Sequence, residues 1–471
     1  MRPQIIVIGG GVSGLSLAWR ACECGAGVCV LESDEIVGGL AKTIREDGYC
    51  MDVGPHSFFS EDTQIVDTVL ALFHGTLKPR TRRVKFYYRG KYLDYPLTAF
   101  SVLFQMGIWS GIRSAMSFLK CKMFPRKRAP ADSGDETVEE WALNSFGKHL
   151  YRTFFKPYTE QFWKVSCADL SSRSIPFHTR TNFANTIRVL LKRRYTDGTS
   201  LVEREMLPTY YPDSGFGEIA EAIADAARKA GADIRLGCRV VGVERLREGL
   251  VRVSYECDGG RKEIEGSHLV STIPLNQFVK MLTPPVPAEV LAAAGRLDYR
   301  SLVALGMVTE KQHILRCAYI YVLNRPYNRI SEMNEFSPST SPRGSNILMV
   351  EMPCLKGSPA WNAPADELFN MCIGSLSEDG FIAPGDVERL LLIKEPCAYP
   401  IYRKDYATNL NRVLDYLGRS EGISTMGRAG EFMYMDVDIC MRRAFDFAAR
   451  LLSGYQLDSY RPSGGDGPSG G

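Results

Sequence analysis

An α/β fold is what the sequence predicts: a doubly wound parallel sheet joined to a second domain of mixed sheet with a helical lobe. Three stretches predict it. In "QIIVIGGGVSGLSLAWRACECGAGVCVLES" a short apolar run, a glycine cluster, an amphipathic segment and a second apolar run follow one another. In "YYPDSGFGEIAEAIADAARKAGADIRLGCRVVGVE" the same order of turn, helix and strand returns far downstream. In "VTEKQHILRCAYIYVLN" and "SNILMVEMP" alternating or continuous apolar residues read as strands of another sheet, parted by the Pro/Ser-rich loop "NEFSPSTSPRGS".

The first stretch is justified residue by residue. "QIIVIGG" is a buried parallel strand ended by glycine. Gly9, Gly11 and Gly14 then complete G-x-G-x-x-G. The first glycine permits a tight turn, the second lets backbone approach a pyrophosphate, and the third lets the next helix pack closely on the strand. "VSGLSLAWRACECG" has helical periodicity and stops at Gly25, a suitable C-terminal cap. The strand "GVCVLES" ends at Glu32, at about the spacing expected for an acid that hydrogen-bonds a ribose hydroxyl. Strand, glycines, helix, strand and acid in this order describe a Rossmann-like dinucleotide site. A second pair, Gly38 and Gly39 in "SDEIVGGLAKT", falls beside the same nucleotide end.

Composition narrows the classes further. A net charge of +3 over 471 residues, with 45% hydrophobic and 24% charged residues, describes an ordinary globular chain and gives no ground for a nucleic-acid partner. The 13 cysteines are irregularly spaced and form no CxxC, so reduced thiols in a cytoplasmic protein are expected, with no metal site. The apolar stretch "AFSVLFQMGIWSGIRSAMSFLKCKMF" is interrupted by Arg113, Lys120 and Lys122. It reads as a substrate-domain helix and not as a membrane span, with peripheral contact left open. The Gly/Ser/Pro-rich residues 456–471 are expected to be disordered.

The two glycine turns around one acid resemble those of the FAD enzymes grouped as flavin amine oxidases, protoporphyrinogen oxidases and UDP-galactopyranose mutases. The resemblance implies FAD, with Glu32 on the adenosine ribose and Gly9, Gly11 and Gly14 at the pyrophosphate. "YCMDVGPHSFFSED" is similar to the segment that passes the flavin ring in these families. It offers His56 either as a flavin or substrate contact or as a packed histidine, and it carries Phe59 where the mutases have a second histidine. "KPYTEQFW" resembles a shared signature in Tyr158, Thr159, Glu160 and Trp163, and Arg180 follows Ile175-Pro176 as a candidate substrate arginine. Val241 matches a strand position that contacts adenine through its backbone. "LDYRSL" places Arg300 on the substrate side of the flavin. "MGRAGEFMYMDVD" resembles the closing FAD motif: Gly427 and Arg428 toward the ribityl-phosphate region, and Met435, Asp436 and Val437 offering backbone groups to the flavin pyrimidine at a helix start.

The implied FAD-binding domain is discontinuous, residues 1–95, 200–290 and 390–455. Residues 96–199 and 291–389 form the substrate domain with its helical lobe. Arg300, His56 and the loop around Arg329 are expected to meet between them. The first functional expectation is an FAD-dependent oxidoreductase that oxidises a small metabolite by hydride transfer to flavin N5. The alternative is a flavin-dependent sugar-nucleotide mutase, with a sugar nucleotide as the small-molecule substrate. A flavin-binding scaffold is a third class; the intact glycine fingerprint speaks against it. Oligomeric state is not set by the sequence.

Overall fold

The structure is a computed structural model that describes residues 4–80, 83–88, 90–94, 108–123, 136–175, 207–246 and 249–453. Arg180 and the tail 456–471 lie outside the described residues.

Gln4–Ile8 stands in the middle of a five-stranded parallel sheet of order Ile423–Thr425, His268–Ser271, Gln4–Ile8, Gly27–Leu31, Asp233–Arg235. The chain therefore winds outward in both directions from the first strand. The point of reversal, where ligands collect in such sheets, falls at the glycine turn. The strand's period-two alternation divides its side chains between two cores. Ile5 and Val7 join Val28, Val30, Leu17, Ala444 and Phe447 on the helical face. Ile6 and Ile8 join Leu31, Val243, Val253, Tyr255 and Val413 on the other. Helices Val12–Glu23, Gly217–Lys229 and Val437–Leu452 cover the first face. A four-stranded sheet built on Arg239–Arg245, Val251–Cys257 and Gly260–Gly266 lies over the second.

The second domain is a seven-stranded sheet of order Arg389–Pro400, Tyr299–Thr309, Asn346–Cys354, Arg329–Glu332, Tyr319–Val322, Val84–Tyr88, Lys91–Asp94. All of Tyr299–Thr309 is buried, as a central strand covered on both faces must be. One face packs on helix Ala365–Glu378 and the other on Met51 and Val53 of the first domain. Val84–Tyr88 and Lys91–Asp94, near the end of the first expected FAD segment, belong to this sheet, as does Arg389–Pro400 at the start of the third. Val84–Tyr88 is drawn there by parallel pairing with Tyr319–Val322. A lobe of helices Ile108–Met123, Val138–Leu150 and Lys156–Trp163 stands beside the sheet; a Thr137–Glu140 capping box starts the second of them.

The expectation that every cysteine is a free thiol is corrected at one pair. Cys238 and Cys257 are joined in a disulfide. The reason is register: Arg239 pairs with Glu256, so the next residues outward, Cys238 and Cys257, come within 4.5 Å between their Cα atoms.

Candidate functional site

The cofactor cradle is built from backbone. Gly9 turns at φ +106°, a conformation that favours glycine, and a Cβ at Gly14 would lie 2.1 Å from the Gly9 carbonyl oxygen. Both glycines are therefore required by the fold itself. Gly11 differs, because a Cβ there would meet nothing nearer than 3.9 Å. The protein leaves space at Gly11, at the mouth of the turn. The two glycine turns are clasped together by the Gly38 amide, which donates to the Gly10 carbonyl at 2.8 Å. Buried Glu32 accepts from the Gly10 amide at 2.5 Å, the Asp34 amide at 2.9 Å and the Ser33 hydroxyl at 3.1 Å. Its carboxylate thus holds the turn in shape.

Val241 sits at a β-bulge. Val240 pairs with Tyr255 and Gly242 with Ser254, which leaves Val241 no partner in the register. At the far end of the cradle, Gly427 has φ +80°, and a Cβ there would press on Ser13 Oγ at 2.6 Å. Met435 and Asp436 lead directly into helix Val437–Leu452, whose first amides take no side-chain cap from Asp436. Glycines where a dinucleotide's backbone must come close, a carboxylate at the ribose position, an unpaired backbone at a bulge and an open helix start are together a fitting donor set for FAD.

The second half of the site lies on the sheet edge. Arg300 is buried and stands opposite Tyr399 in the register of two adjacent strands. Its guanidinium carbon lies 4.1 Å from the ring centres of both Phe162 and Tyr399. One nitrogen donates to the Phe162 carbonyl oxygen at 3.1 Å, while Nε is buried without a hydrogen-bond partner. Arg428 lies over the same tyrosine at 4.4 Å and over Tyr434 at 4.5 Å, and its Nε too is buried and unpartnered. Arg329 is held differently, by a two-pronged ion pair to Glu351 at 2.5 and 2.6 Å. Among the described residues no carboxylate lies within ion-pair distance of Arg300 or Arg428.

The consequences for titration follow from that crowding. Burial pulls Arg300 down to about 10, and Arg329 and Arg428 add to the fall against the opposing Tyr399 and Glu351. Burial pushes the Tyr399 hydroxyl upward, but Arg329, Arg428 and Arg300 together outweigh it and hold it below its ordinary value. His56 stacks on Phe216 with ring centres 5.0 Å apart, and its Nδ1 is buried without a partner. Burial first, then the fields of Arg329 and Arg428, lower it to about 3, so the imidazole is neutral at physiological pH.

The structure thus gathers Arg300, Arg329 and Arg428 around Tyr399 and sets His56 within the same field. Phe162, Tyr399, Tyr434 and Glu351 complete the site and were not singled out from the sequence. Tyr399 and Glu351 look there like ordinary strand residues, and their placement depends on pairing with Tyr299–Thr309 and Arg329–Glu332.

A three-layered nucleotide domain with a glycine cradle, joined to a sheet that gathers arginines and tyrosines, defines a flavoprotein of the two-domain kind. The chain belongs to the flavin-containing amine oxidoreductase family, whose model matches residues 12–387. FAD is its cofactor. It is 23% identical to a protein named "Probable UDP-galactopyranose mutase" from Klebsiella pneumoniae, over 96% of this chain and 95% of that one. It is 22% identical to chloroplastic protoporphyrinogen oxidase 1 of Arabidopsis thaliana, over 66% of this chain and 59% of the oxidase. In fold it is similar to a crystal structure of reduced UDP-galactopyranose mutase, with a TM-score of 0.79, 19% identity and 96% of each chain covered.

Proposed function

We propose that the chain is a flavin-dependent sugar-nucleotide mutase that interconverts ring forms of a nucleoside-diphosphate sugar. The observation that carries this reading is the pair of buried guanidinium groups, Arg300 and Arg428, with no carboxylate within ion-pair distance among the described residues and with an aromatic face shared between them. A buried cation without a counter-charge is costly, and an anionic ligand is its natural complement. A diphosphate matches guanidinium geometry, and the tyrosine faces suit the apolar side of a sugar or base. The likeness along nearly the whole length of a mutase relative supports the same choice.

In this reading Arg300 grips the diphosphate, and Arg428 stands between it and the ribityl end of the cofactor. Tyr399 packs on both arginines, Phe162 on Arg300 and Tyr434 on Arg428, offering ring faces beside the charges. His56, neutral and packed on Phe216, shapes the site without donating a proton. FAD, held by the two glycine turns and the start of helix Val437–Leu452, would when reduced supply nucleophilic chemistry at the sugar, with the diphosphate as leaving group.

Phe59, at the position of a mutase histidine, favours a second reading: an oxidoreductase of an anionic metabolite. An anaerobic assay separates the two. UDP-, GDP- and dTDP-sugars are presented to the oxidised and to the dithionite-reduced holoenzyme, and products are followed by chromatography. Conversion with reduced flavin alone and no net reoxidation supports the mutase. Flavin bleaching by a substrate, coupled to its oxidation, overturns it.

A further inference from the structure

Helix Ile108–Met123 presents an apolar stripe to solvent. Its small and polar residues face the protein: Ser114 is buried, Ser117 Oγ accepts from the His149 amide at 3.1 Å, and Cys121 Sγ donates to the Leu143 and Asn144 carbonyls at 3.0 and 3.2 Å. Four of its large apolar side chains face solvent. Ile112 is 46% exposed, Met116 65%, Leu119 58% and Met123 67%. At about 100° per residue these four positions fall on a stripe roughly 60° wide.

The charges around the stripe have one sign. Arg113 and Lys120 are exposed beside it, and no acidic residue occurs between Ile108 and Met123. In sequence the basic run continues through Arg126, Lys127 and Arg128, which lie outside the described residues. No described helix is long and apolar enough to cross a membrane.

We infer that this helix is an interfacial anchor that lays its Ile112–Met123 stripe into the surface of an anionic phospholipid bilayer. An apolar ridge with cations beside it matches a plane of hydrocarbon overlaid by phosphates. A second copy of the chain is disfavoured, because two such helices would bring like charges together.

The test is flotation of the FAD-loaded protein with phosphatidylcholine vesicles, with and without phosphatidylglycerol. The wild type is expected to float with the phosphatidylglycerol vesicles and to be released by high salt. Met116→Gln/Leu119→Gln is expected to weaken binding by roughly tenfold or more, and Arg113→Glu/Lys120→Glu by a similar factor. Both changes face solvent, so flavin content and far-ultraviolet circular dichroism should stay as in the wild type. Absence of flotation at low salt overturns the inference. So does undiminished flotation of the Gln variant, or a concentration-dependent dimer of the wild type that the Gln variant abolishes.

Discussion

Arg300 and Tyr399 face one another across neighbouring strands, guanidinium carbon to ring centre 4.1 Å, and the Phe162 ring lies at the same distance from the arginine, its centre 5.6 Å from that of Tyr399 and its plane turned 70° to it. This corner of two rings, with the hydrogen bond to the Phe162 carbonyl, holds a buried cation whose Nε has no partner among the described residues. It presents charge and direction together, ahead of any ligand. Arg300→Lys keeps the charge and loses the plane. Affinity of the holoenzyme for UDP should fall by roughly 10- to 100-fold, with FAD content unchanged. Titration calorimetry measures this, and wild-type affinity in the variant would remove Arg300 from the ligand site.

Two glycines of one motif should fail in different ways. Gly11→Val places its side chain in open space, so the variant should fold and remain colourless. Gly14→Val drives a side chain into the Gly9 carbonyl and should destabilise the protein itself. Flavin absorbance and the midpoint of thermal unfolding, recorded on both variants, separate the two effects. A yellow Gly11→Val protein would refute the assignment of the turn to FAD.

Glu351 compensates Arg329 within the buried sheet. Glu351→Gln should cost about 3–5 kcal/mol in denaturant unfolding, because it strands a buried guanidinium. Arg329→Met/Glu351→Leu should recover much of that loss. A double variant no better than the single would show that the pair is not what the sheet depends on.

His56 and His313 make opposite pH predictions. Burial holds His56 near 3, whereas exposed His313 is raised above 6.5 by its hydrogen bond to Glu335. In a histidine-selective NMR titration between about pH 5 and 8, His313 should shift and His56 should not. A neutral His56 contributes its full share of stability above its unfolded value of 6.5. That share is lost as pH falls from there toward 3, because the unfolded state then takes up the proton. An inflection of His56 near neutrality would overturn its placement.

Much of the nucleotide domain was readable from residue order, because Gly9, Gly11, Gly14 and Glu32 act over short distances and declare their conformations in their spacing. Arg300 was legible through the resemblance of "LDYRSL" to the mutase pattern. What the sequence concealed depends on register. The Tyr399 partner of Arg300, the Glu351 partner of Arg329 and the Cys238–Cys257 bond each follow from which strand lies beside which. Nothing local to Val84–Tyr88 reveals that Tyr319–Val322 is its neighbour.

The disulfide gives a plain count. Of 13 cysteines, 11 should react with a thiol reagent in denaturant without reductant, and all should react once reduced. Thirteen reactive thiols in freshly isolated, oxidant-free protein would restore the original expectation for this chain.

The central strand Gln4–Ile8 is synthesised before the other strands of its sheet, yet its neighbour on one side is His268–Ser271, and beyond that lies Ile423–Thr425. The wall behind Gly9 is Thr272, and the glycine that closes the far end of the cradle is Gly427. A nascent chain therefore carries its fingerprint incomplete until the segment around Gly427 has been synthesised, and pairings of such long range close slowly. Any truncation upstream of residue 427, by nonsense mutation or stalled synthesis, should yield a polypeptide that displays the G-x-G-x-x-G motif and captures no flavin.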